Sequence, residues 1–380
     1  METALPTRFR EADERNRRIG RTLRRIARVD ELDEDLLARL GRGLLECDRA
    51  GAEVARAVRA GEVTRRGLRQ SLADGQGGPP ALAALLDEVS VDPGWLDRDL
   101  LARGQRAYHR FGRNAADVLL QLSLIGGYRF GGPTELLVAT GGLVGPAAGV
   151  RRRLGETQAW TASLARPGAL APRGEAWRLT LHVRVVHALV NAAQLDRGWD
   201  VSRWGLPVKD TDQAGTLGLF DGVALLGVRA LGVPVSRGDA AAVMHLWRYV
   251  GWLMGVHPDF LVDDEQERHR INYHVLRAQS GQTEAGRRLA AAIVDVQRDL
   301  YAGPRGRYER ERLLSMLTVF LGGSSMRDLG LPRRPPWAFA GAHARNLVRY
   351  RLLGRGEAGR ARLERWGDRV VDDVLGRSLA

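Results

Sequence analysis

The chain is poor in several residue types whose presence would point to particular chemistries. Cys47 is the only cysteine in 380 residues. That excludes an internal disulfide, a thiolate-based zinc or iron–sulfur site, and the C-x-x-C-H attachment of a covalent c-type haem. Lysine is almost missing too: of 58 basic residues, all but Lys209 are arginine. The arginines are spread along the chain as a GC-rich coding bias would spread them. The net charge of +13 therefore does not define a nucleic-acid surface, and we expect no nucleic-acid partner. The densest basic run, Arg151 to Arg153, opens a predicted helix with apolar and acidic residues close behind.

Long apolar runs are lacking as well. The most apolar region, residues 118–150, is interrupted by Arg129, Pro133, Glu135 and Pro146. A spanning helix needs about 20 mostly apolar residues, so no transmembrane segment is expected. The first residues are charged throughout, without the apolar stretch of a secretory or twin-arginine signal. The expected location is the cytoplasm. The sequence also has no phosphate-binding G-x-x-x-x-G-K-[ST] loop, no H-E-x-x-H zinc helix and no G-x-S-x-G elbow. The glycines of GGLVGPAAG at 141–149 follow no strand and read as a turn or as helix packing.

What is present is helical. Leu, Ala, Arg and Glu recur at spacings of three and four, and alternating β-branched runs are nearly absent. The pattern predicts an all-α protein of about fifteen helices. These fall near 8–29, 34–46 (N-capped by Asp30 or Asp33), 48–74, 81–90, 96–112, 114–125, 134–140 and 147–166, then 175–197, 212–231, 237–255, 263–278, 283–303, 306–321, 337–353 and 357–374. GQGGPP at 75–80 and RPGALAPRG at 166–174 are the clearest breaks, and 198–211 reads as an irregular connection with two tryptophans. We divide the chain into an N-terminal helical region (1–95), a main domain (96–335) and C-terminal helices packed on it (336–380).

Two clusters carry candidate chemistry. In LTLHVRVVHALVN, Leu179, Val183, Val186 and Val190 form one helical stripe. His182 and His187 flank it, each roughly 40° from the nearest stripe member. On periodicity alone they could be ligands or ordinary core histidines. Arg153, Glu156, Thr157 and Trp160 share one helix face by the i, i+3, i+4, i+7 rule. That face gathers a guanidinium, a carboxylate and a hydroxyl beside a large ring, and it could equally be a solvated Arg–Glu pair.

At these two places the sequence resembles the MpaB/rubber-oxygenase family, which includes the latex clearing proteins. HVRVVHALV at 182–190 is the strongest match. WGLPVKDTDQAGTLGLFDGVALLGVRALG at 204–232 and WRYVGWLMGVHPDF at 247–260 look like the family's downstream segments. The resemblance covers roughly residues 100–330. It implies a globin-like helical core around a non-covalent haem b, with additional N- and C-terminal helices. It also implies iron ligation by His187 and a distal face built from Arg153, Glu156 and Thr157, the positions of the family's R-x-x-K-T motif. Arg153 and Arg184 are then candidates for pairing with haem propionates. Two departures stand out. Glu156 occupies the place of the distal lysine of latex clearing proteins, and Asn191 stands where many relatives carry arginine.

The implied reaction is O₂-dependent oxidation or cleavage of a double bond in a small apolar molecule, isoprenoids among them, with an electron donor the sequence does not identify. Arg153 would stabilise negative charge, Thr157 would donate a hydrogen bond, and Glu156 would act as general base. Two other readings stay open: a haem protein that is not an oxygenase (sensor, peroxidase-like enzyme or carrier), and a helical interaction protein without a cofactor.

Overall fold

Short polar side chains set many of the helix starts. Asp33 accepts from Leu36 N at 2.8 Å, Thr64 from Gly67 N at 3.0 Å and Asp97 from Leu100 N at 2.9 Å. Ser236 does the same for Asp239 N at 3.1 Å and Asp264 for Glu267 N at 2.7 Å. Each such cap satisfies a donor that the first turn leaves free. A computed structural model describes residues 4–141, 147–301 and 303–379. Among these residues the secondary structure is helical, without a strand. Most of the GGLVGPAAG segment, residues 142–146, lies outside the described residues.

Several long helices of the sequence pattern are divided, so twenty α-helices occur among the described residues instead of about fifteen. The 8–29 pattern breaks at Gly20 into Asp13–Ile19 and Arg21–Ala27. The 48–74 pattern becomes Arg49–Arg59 and Arg65–Asp74. The 212–231 pattern becomes Asp210–Phe220 and Gly222–Ala230, because Asp221 leaves helical geometry at φ −103°, ψ −89°. Asp221 is fully buried against Arg268, also fully buried, at 2.8 Å. Two further patterns pass from α- into π-helix, at Leu119–Ile125 and Leu347–Leu353. Apolar periodicity survives all these interruptions, which is why it joins the pieces.

The Arg98–Phe111 and Arg237–Leu253 helices pack extensively on each other in the core. Gly104 makes that approach possible, since a Cβ there would overlap the Ala242 carbonyl. The larger apolar core draws on residues from Leu37 to Leu363. A second core gathers Ile125, Tyr128, Leu289, Ile293, Leu317 and Leu321. The Ala147–Leu164 helix joins the two, with Val150 in the second and Trp160 packed on the first. The Gly356–Leu379 helix lies along Arg98–Phe111 and Ala147–Leu164. Among the described residues no helix is long and apolar enough to cross a membrane.

Candidate functional site

The two candidate clusters lie on consecutive helices, Ala147–Leu164 and Glu175–Asp196, which pack on each other. Loop 165–174 folds back on itself, with Trp177 N donating to the Ala169 carbonyl at 3.1 Å. The pair is therefore an antiparallel hairpin. Its register is fixed near the loop, where Trp160 Nε1 donates to Thr180 Oγ1 at 3.0 Å. Seven residues farther from the loop on each helix, about two turns, Arg153 comes opposite His187. The electrostatics agree, because the Arg153 charge acts on the His187 ring.

Trp160 closes the inner end of this hairpin face. Its ring meets Phe220 edge-on at 5.7 Å and Trp247 at 6.1 Å, and Phe220 and Trp247 stack at 4.8 Å. Toward the other end the face opens: Arg153, Glu156 and Thr157 are exposed. The aromatic wall was not foreseen from sequence, since Phe220 and Trp247 lie 60 or more residues beyond Trp160 and carry no local signal.

On the Glu175–Asp196 helix the buried positions include Trp177, Thr180, Leu181, Arg184, Val185 and Asn191. The helix packs along the Arg49–Arg59 helix, where Gly51 comes close to Ala188. The stripe marked by periodicity points elsewhere. Leu179 is exposed and Val183, Val186 and Val190 are only half-buried. Three valines thus occupy a face that the protein covers only in part. Apolar surface in that position is ready to receive an apolar ligand.

His187 lies at the margin of this face. Its ring is half-buried, yet Nδ1 is sealed from solvent and has no partner. Six of the eight histidines bond to protein. His274 is the model of a satisfied core histidine: Nε2 accepts from Asp33 N at 2.9 Å and Nδ1 donates to the Arg270 carbonyl at 2.8 Å. His245 accepts from Asp97 N, His257 from Asp259 N, His343 donates to the Ala230 carbonyl, and His109 and His269 pair with Asp368 and Glu265. Among the described residues only His182 and His187 show no such bond. Burial, with the Arg153 charge adding to it, pushes the His187 pKa down to about 4, against a smaller opposing pull from Asp48. The imidazole is therefore neutral at pH 7, the form that binds a metal. Burial and Arg69 lower His182 as well.

Among the described residues no three His, Cys, Asp or Glu side chains gather to hold a bare ion. A neutral imidazole without a protein partner, beside a half-buried apolar face, would suit porphyrin iron, most of whose ligands come from the macrocycle itself.

Arg184, expected as a propionate partner, is engaged otherwise. Its Nε and Nη2 bind Asp48 Oδ2 and Oδ1 at 2.7 and 2.8 Å, and both side chains are nearly buried. Asp48 stands just before the Arg49–Arg59 helix, but its carboxylate does not cap it. The fork of Arg184 is thus occupied, and the pairing spans 136 residues, beyond any sequence-local signal. Glu156 binds Arg153 at 3.4 Å and Arg152 at 3.8 Å, with about half of its surface exposed. The Thr157 hydroxyl donates to the Arg153 carbonyl at 3.1 Å, one turn back on its own helix.

Comparison with known proteins bears on the whole hairpin. Residues 109–350 match the family described as ER-bound oxygenase mpaB/B′/rubber oxygenase, catalytic domain. Among solved structures the chain is similar to latex clearing protein LCP in the closed state, with a TM-score of 0.68 over 87% of this chain and 91% of that chain. At 18% identity that likeness speaks for the helical fold. No curated protein sequence matches. The family match takes in both hairpin helices, the aromatic wall and the HVRVVH motif, and the chain belongs to the mpaB/rubber-oxygenase catalytic-domain family.

Proposed function

We propose that this family member is a haem b-dependent oxygenase, using O₂ on a small apolar alkene such as an isoprenoid, with His187 as the protein ligand to iron. The observation that carries the proposal is the neutral, unpartnered imidazole of His187 beside the half-buried valines 183, 186 and 190. Haem bound there supplies the oxygen chemistry, and the protein supplies position and electrostatics.

The chain's own residues divide the remaining work. Val183, Val186 and Val190 offer the apolar surface that a macrocycle or alkene covers. Trp160, Phe220 and Trp247 close the inner end against water. Arg153, opposite His187, places a permanent cation where negative charge develops, or where a propionate lies. Glu156, oriented by Arg152 and Arg153, is the carboxylate nearest that cation and serves as proton acceptor for an allylic proton. Thr157 holds the helix backbone below Arg153 and can turn its hydroxyl toward a ligand only by giving up that bond.

A second reading has one observation in its favour. Glu156 and Thr157 are paired within their own helix, an arrangement that also suits a haem sensor or carrier. Two measurements separate the readings. Absorption spectra of the haem-loaded protein, oxidised and dithionite-reduced, test for a histidine-ligated haem. Steady O₂ uptake with an alkene and a reductant distinguishes an oxygenase from a carrier, and haem binding without uptake favours the carrier.

A further inference from the structure

The Trp337–Asn346 helix runs directly into the π-helical turn Leu347–Leu353, and together they form one rod. One side of it is buried: Ala338, Ala342, Asn346 and Tyr350, spaced by four. The opposite side is apolar and exposed, with Trp337 also resting against the Tyr308 ring at 5.5 Å. Trp337, Ala340, Ala344, Val348 and Leu352 follow one another at spacings of three and four, and all are exposed. Trp337 is 43% exposed, Val348 48%, Leu352 65% and the adjoining Leu353 51%, so this is a continuous stripe rather than a scatter of single residues.

Charge along this stretch has one sign. Between Leu329 and Gly356 there are six arginines and no Asp or Glu. Arg334 is taken by Glu311, and Arg349 lies over the Trp366 ring at 4.0 Å. Arg345, Arg351 and Arg355 are exposed, and no hydrogen bond or ion pair to another described residue engages them. An apolar helical stripe with a tryptophan at one end and free guanidinium groups beside it is the pattern of a helix lying in a lipid interface. A second copy of the chain would set these cations against one another. A nucleic acid would account for the arginines and leave Val348 and Leu352 facing water.

We propose that the 337–353 rod docks the protein on an anionic lipid surface, with Trp337, Val348, Leu352 and Leu353 entering the headgroup region and Arg345, Arg351 and Arg355 binding lipid phosphates. This surface is separate from the His187 hairpin, and its test needs no haem and no turnover.

The experiment is vesicle flotation of the purified full chain. Phosphatidylcholine vesicles containing phosphatidylglycerol carry the protein upward, and pure phosphatidylcholine vesicles do not. Replacing Arg345, Arg351 and Arg355 together by Gln lowers the partition coefficient by about 100-fold, at about fivefold per cation. The V348S/L352S variant lowers it by about tenfold or more through lost apolar burial. Both variants keep the wild-type thermal midpoint, since all these side chains are exposed. Raising salt weakens binding of the wild type. The proposal is overturned if the wild type stays in the soluble fraction with both vesicles, or if the variants float as well as the wild type. It is also overturned if light scattering shows a dimer that V348S/L352S abolishes without any vesicle binding. DNA binding lost in the arginine variant alone would reassign the surface to nucleic acid.

Discussion

Arg153 stands across the hairpin from His187, and its charge adds to burial in keeping that imidazole neutral. The pairing follows from the Trp160–Thr180 bond two turns away, which holds the two helices in register. It joins the two clusters that the sequence offers separately and makes them one site.

His187→Ala is expected to abolish the Soret band after haem loading, whereas His182→Ala retains it. Haem content by absorbance of the pyridine derivative checks both. Full haem content in the His187 variant would move the ligand elsewhere, first to His182, the other histidine without a protein partner.

Acid should cost this protein stability through the same ring. An unfolded histidine titrates near 6.5, and burial with Arg153 holds the folded one down to about 4. Between these values the unfolded chain binds a proton that the folded chain does not. The stabilisation is intact above about pH 6.5 and is lost as pH falls, amounting to about 3 kcal/mol by pH 4. Urea unfolding of the wild type against His187→Gln between pH 7 and pH 4 isolates this contribution. Parallel curves for the two proteins would exclude it.

Glu156→Gln keeps the shape of the side chain and removes its capacity to accept a proton. If this carboxylate takes the allylic proton, the haem-loaded variant turns over about 100-fold more slowly with an unchanged spectrum. Turnover equal to the wild type would leave Glu156 only the task of holding Arg152 and Arg153.

Asp48→Ala strips the partner from a nearly buried guanidinium. The loss is expected to reach about 3–5 kcal/mol, read as a shift in the urea midpoint. Replacing both members, as in D48L/R184M, removes the uncompensated charge and should recover most of it. A loss below about 1 kcal/mol in the single variant would mean that water reaches Arg184.

The sequence by itself determined what depends on near neighbours along the chain. The all-α character follows from spacings of three and four, and a helix start at Asp30 or Asp33 follows from a cap that reaches three residues, which Asp33 makes. The HVRVVH motif and the face shared by Arg153, Glu156, Thr157 and Trp160 are equally local. Tertiary structure decided everything that depends on what a face meets. Periodicity marks Val183, Val186 and Val190 as apolar but is blind to whether protein covers them, and the fold buries Trp177, Leu181 and Val185 instead. Arg184 finds Asp48 across 136 residues, and Trp160 finds Phe220 and Trp247. Side-chain direction on a helix is set by local geometry, whereas burial is set by whichever distant segment arrives, and that information is spread over the whole chain.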